Sequence, residues 1–116
     1  ALNLQAVSEA LVFASKAGAD PEKVRQALLG GFASSKILEV HGERMVKRTF
    51  DPGFRIELHQ KDLNLALESA KSLGLSMPNT AVTQQMFSSC VANGGSGWDH
   101  SAIIRATEIM SNHKIA

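Results

Sequence analysis

A chain of 116 residues, 44% apolar and 20% charged, is one domain with material for a modest core. A formal net charge of +1 without a basic or acidic run excludes a nucleic-acid footprint and a polybasic membrane patch, and no apolar run approaches the roughly 20 residues that cross a bilayer. The single Cys90 excludes an internal disulfide and, with no signal peptide in view, fits a reducing cytoplasm.

Ala, Leu, Lys, Glu, Gln and Met are plentiful, Tyr is absent, and runs of β-branched residues are lacking, which points to helix throughout. "ALNLQAVSEALVFASKAG" is helically periodic from its first residue. Leu4, Val7, Leu11 and Ala14 make one face; Leu2, Ala6, Phe13 and Ala17 make another. A helix apolar on two sides is expected to be buried between partners. No N-cap precedes the pattern, so the helix reads as one cut in its middle, with more protein upstream. Gly18 is a left-handed cap candidate. Asp20 as N-cap and Pro21 at the first helical position open a short helix, "DPEKVRQALL", which Gly30 and Gly31 stop. Ser34 or Ser35 caps "SKILEVHGERMVKR", whose inward side is Ile37, Val40 and Met45 and whose middle Gly42 weakens. "TFDPGF" is a turn.

The next helix, "FRIELHQKDLNLALESA", runs from Phe54 to Gly74. At about 100° per residue, Ile56, Leu63, Leu67 and Ala70 form one apolar stripe. Phe54, Leu58, Leu65 and Ala66 form a second, and Asp62 lies inside it. An unpaired buried charge costs several kcal/mol. Either that face is open, or the carboxylate has a partner. Lys61 sits at the polar edge, where its plain role is a solvated partner of Glu57 one turn earlier. Pro78 then starts a helix through "NTAVTQQMFSSCVA", "NGGSG" closes it, and Asp99 caps a last helix, "HSAIIRATEIMS". About six helices with short connections and no strand signal make the fold class all-α, a single domain over residues 1–116.

Other motifs carry little chemistry. "NGGSG" lacks the Lys-Ser/Thr of a phosphate loop and follows no strand, so it reads as a helix-ending loop. His41, His59, His100 and His113 show no helical metal spacing, so no metal is expected. No nucleophile elbow is present.

The stretch "FRIELHQKDLNLAL" resembles the C-terminal signature of the β-hydroxyacid dehydrogenase family, in which a Phe precedes a Lys-Asp-Leu segment on a helix. Here these are Phe54, Lys61, Asp62 and Leu63. The resemblance covers nearly the whole chain: "ALNLQAVSEALVFASKAGADPEKV", "GGFASSKILEVHGERMV", "FDPGF", "MPNTAVTQQMF" and "GSGWDHSAI" match in order. Within the family the pattern is most similar to the 2-hydroxy-3-oxopropionate (tartronate semialdehyde) reductases, with glyoxylate reductases and 3-hydroxyisobutyrate dehydrogenases as near neighbours.

The resemblance implies a fold like the C-terminal domain of 6-phosphogluconate dehydrogenases, next to an N-terminal Rossmann domain that is absent here. It places the catalytic Lys upstream of Ala1, so no catalytic residue falls in this chain, which alone is expected to be inactive. NAD or NADP would be held mainly by the absent domain. Lys61 would reach the bound cofactor by a charge-assisted hydrogen bond. Phe54, Asp62 and, more weakly, Ser35 would line the pocket of a small hydroxy- or oxo-acid. Asp62 would pair with a cleft group or orient the site lysine. The parent reaction would be hydride transfer between NAD(P)H and an aldehyde carbon, giving glycerate. The expected partners are that substrate and further copies in a homo-oligomer, with no nucleic acid and no membrane. A reading from another class is a non-enzymatic helical dimerisation module; a Gly-rich βαβ start and a Lys before Ala1 would favour the enzyme.

Overall fold

The computed structural model describes residues 1–116. The expected six helices are present, with no sheet: α1 (Leu2–Lys16), α2 (Pro21–Leu29), α3 (Lys36–Lys47), α4 (Ile56–Leu73), α5 (Pro78–Ala92) and α6 (Ile104–Ser111). Their ends follow local chemistry. The Asp20 carboxylate accepts the N–H groups of Glu22 and Lys23, and Ser35 Oγ accepts that of Leu38, so each caps its helix. Gly18 and Gly74 take positive φ after α1 and α4, where a side chain would be strained.

Two boundaries differ from expectation. α4 begins at Ile56, leaving Phe54 and Arg55 in the turn before it. The last helix is preceded by a 3-10 turn over His100–Ile103, because Asp99 accepts the N–H of Ser101 through its side chain and that of Ala102 through its carbonyl.

α1 is the central helix, packed by α2, α3, α5, α6 and the 3-10 turn. Leu4 and Leu11 of α1, Met45 of α3, Ile56 of α4, Phe87 of α5 and Ile103 and Ile104 are fully buried in one cluster. Only one of the two apolar faces of α1 enters it. Leu2, Ala6, Phe13 and Ala17 are exposed, Phe13 by 77%, so the expected burial on both sides does not occur within this domain. Gly42 also has a packing reason. A Cβ there would stand 3.1 Å from Cδ of Arg25, whose buried stem crosses α3 at that point. The glycine weakens the helix and admits the crossing.

α4 lies at the rim. It packs against α5, with which it forms a helical hairpin, and against the 3-10 turn. Ile56, Leu63 and Ala70 are its buried face.

Candidate functional site

Because α4 is covered from one side, the residues opposite its buried face stand in the open. Asp62 is exposed, and so is Leu65, by 54%. The carboxylate among leucines is explained by an open face: no buried charge exists to be compensated. Asp62 also has a partner, since its Oδ1 lies 3.4 Å from Nζ of Lys61. Lys61 is therefore not the partner of Glu57, which pairs with Arg55 at 3.1 Å. Leu58, Lys61, Asp62 and Leu65 recur at helical spacing and make one stripe in which an ion pair sits between apolar side chains. None of the concavities of the domain is lined by Phe54, Lys61 or Asp62. No cavity borders the stripe, so a ligand bound there needs a second wall.

Phe54 precedes this helix in a turn that is held from across the domain. Asp99, fully buried, accepts the N–H groups of Gly53 (2.9 Å) and Phe54 (3.2 Å) at Oδ2, together with Nη1 of Arg44 (2.7 Å). Its Oδ1 accepts the N–H and hydroxyl of Ser101. Burial pushes the Asp99 carboxyl up, and these hydrogen bonds outweigh it, so the pKa is lowered and the group is a carboxylate. Arg44 continues to the carbonyl of Asp51 (2.7 Å).

The loop of residues 93–97 has a task beyond ending α5. The carbonyls of Ser96 and of Trp98, just past the loop, accept the N–H groups of Glu57 (3.0 Å) and Ile56 (2.9 Å), so this segment caps α4, whose own N-cap side chain makes no such bond. Gly95 is required because a Cβ there would run into the Trp98 ring.

Three histidines meet beside the turn. Nδ1 of His59 and Nδ1 of His100 are 2.9 Å apart, and the His41 ring stands edge-on to His100 at 4.5 Å. The Phe54 ring contacts His59 and His100 edge-on, at 5.5 and 5.3 Å. Burial lowers the pKa of all three imidazoles, that of His100 to about 4. His41, Asp99 and His100 bring ligand-type atoms within 4.8 Å of one another. The donor set does not fit a metal, however, since both Asp99 oxygens are already occupied by a guanidinium, a hydroxyl and main-chain N–H groups. Ser35, the remaining sequence candidate, caps α3, and its hydroxyl lies 3.4 Å from Oδ1 of Asn3 on α1.

The family model described as "NAD-binding of NADP-dependent 3-hydroxyisobutyrate dehydrogenase" matches residues 1–107. The chain belongs to this family. The 2-hydroxy-3-oxopropionate reductase of Escherichia coli (strain K12) is 72% identical over all 116 residues, which are 40% of that protein's length. A probable 3-hydroxyisobutyrate dehydrogenase-like mitochondrial protein of Arabidopsis thaliana is 38% identical over 104 residues, 90% of this chain and 31% of the relative. Among solved structures, a 3-hydroxyisobutyrate dehydrogenase from Salmonella typhimurium superposes with a TM-score of 0.86 at 25% identity, over 90% of this chain and 36% of the other. The chain thus spans well under half of these relatives.

For a domain of this family, the sequence pointed to Phe54, Lys61 and Asp62 on one element, and the structure adds what holds that element. Asp99 was legible only as a helix cap, and nothing in the spacing of Arg44, Gly53 and Asp99 announced that they meet. The histidines, 18 and 41 residues apart in sequence from His41 to His59 and from His59 to His100, are likewise joined by tertiary packing.

Proposed function

We propose that the chain is the substrate-pocket and oligomerisation domain of an NAD(P)-dependent oxidoreductase that reduces 2-hydroxy-3-oxopropionate to glycerate. The identity of 72% along the entire chain to a reductase of that name carries this reading. The family description favours a second substrate, 3-hydroxyisobutyrate, but the relative named for it is 38% identical. The proposed protein is cytoplasmic and has a Rossmann domain and an acid/base lysine on the segment before Ala1. No helix here is long and apolar enough to cross a membrane.

The open stripe of α4 suits this part. When bound, the nicotinamide supplies the hydride. Lys61 offers an exposed ammonium to a cofactor oxygen, and Asp62 at 3.4 Å orients it. Phe54 supplies an apolar wall that excludes water from the reacting carbon. Exposed Phe13, Ile109 and Met110 on α1 and α6 support a homo-oligomer that covers them.

Lys61→Ala in the full-length protein tests the reading. Lys61 is 62% exposed, so its removal opens no cavity and should leave stability within about 0.5 kcal/mol. Loss of one charge-assisted bond should weaken cofactor binding about ten- to a hundredfold. Wild-type binding and turnover in that variant would return Lys61 to a surface role.

A further inference from the structure

The buried carboxylate of Asp99 takes no part in the site as described, yet it holds the main chain of that site. A buried charge pair is a weak device for stability, since desolvation offsets most of the attraction. What five donors arranged about one carboxylate do supply is geometry. They come from α3, from residues 53 and 54, and from residue 101. The same segment, residues 96–100, also accepts the first N–H groups of α4, and His100 donates its own N–H to the Phe54 carbonyl at 2.8 Å. The start of α4 is therefore templated by residues 96–100.

We propose that Asp99 is a positioning residue for the α4 site: by fixing the main chain of Gly53 and Phe54 it sets the Phe54 ring and the direction of α4, and through that direction the place of Lys61. The inference rests on the reading of α4 as the cofactor-facing helix. The lever is simple. Lys61 is five residues beyond Ile56, about 7.5 Å along the axis, so a tilt of about 10° at the first turn carries its Cα by about 1 Å. A displacement of that order at a reacting centre is enough to cost a large factor in rate. The Phe54 ring packs edge-on against the His59 and His100 rings, which touch each other and meet it from α4 and the 3-10 turn.

A purely structural carboxylate would lower stability when removed and nothing else, so the control is a second buried carboxylate away from α4. Glu108 of α6 serves; its side chain is 3% exposed and paired with Arg48. Asp99→Asn and Glu108→Gln would be made in the full-length protein beside Lys61→Ala. Thermal melts, steady-state kinetics below the lower melting temperature, and hydrogen exchange over residues 49–58 would be measured on each. In Asp99→Asn, kcat/KM for the reduced cofactor should fall about tenfold, and exchange should rise over the turn. Glu108→Gln should melt lower but keep its kinetics. Equal kinetics in the two carboxylate variants would overturn the proposal. A silent Lys61→Ala would overturn the reading of α4 and this inference with it, whereas an impaired Lys61→Ala beside a normal Asp99→Asn would overturn the inference alone. If Asp99→Asn does not fold, Arg44→Gln, which removes a donor, 27% exposed, from the same carboxylate, is held to the same kinetic criterion.

Discussion

Acid should unfold this domain earlier than its carboxylates require, because three half-buried imidazoles are held in it uncharged. His41, His59 and His100 have pKa values lowered by burial, opposed in part by Asp99 for His41 and His100 and by Asp62 for His59. In the unfolded chain each should titrate near 6.5. As pH falls through that value the unfolded state takes up protons that the folded state refuses, so stability is full above it and is lost below it. His100, at about 4 when folded, sets the scale. Between about pH 7.5 and pH 5 it alone should remove roughly 1–2 kcal/mol, the upper figure being the full shift without solvent screening of a half-buried ring, and the other two act in the same direction. The carboxyl groups of Glu22, Glu43 and Asp99 also sit low, but their unfolded values lie near or below 4.5, so they act mainly below this window. In urea the midpoint should drop by roughly 1–2 M between the two pH values. His100→Gln should lose most of that difference. A wild-type midpoint that holds at pH 5, or a variant with the wild-type pH slope, would refute the reasoning.

Two further outcomes are expected. Burial pushes the Cys90 thiol to about 11, and the residue is 1% exposed, so a disulfide-exchange reagent at neutral pH should label it only after denaturation; stoichiometric labelling of the native protein would contradict this. Phe13→Asp in the full-length protein should shift sedimentation toward smaller species if the exposed face of α1 is an oligomer contact, and an unchanged profile would remove that face from the interface.

The sequence by itself determined the helices, and the reason is that their signals are local. Asp20 with Pro21, Ser35, and the glycines at 18 and 74 act within one turn of where they stand, so each cap was legible without knowledge of the fold. The family was legible too, from five ordered segments. Exposure was not. Asp62 lies in an apolar stripe, and periodicity cannot say whether a stripe meets a neighbour; it is open because α4 packs on α5 and the 3-10 turn from one side only. The second stripe of α1 failed to be buried for the same kind of reason. Gly42 reads as a flaw in α3 until Arg25 is seen crossing it. Asp99 reads as a cap until Arg44, 55 residues earlier, arrives at its carboxylate. Hydrogen bonds and ring contacts between residues that far apart depend on how helices dock, and docking is decided by side-chain volume and shape across the whole core, which no local pattern encodes.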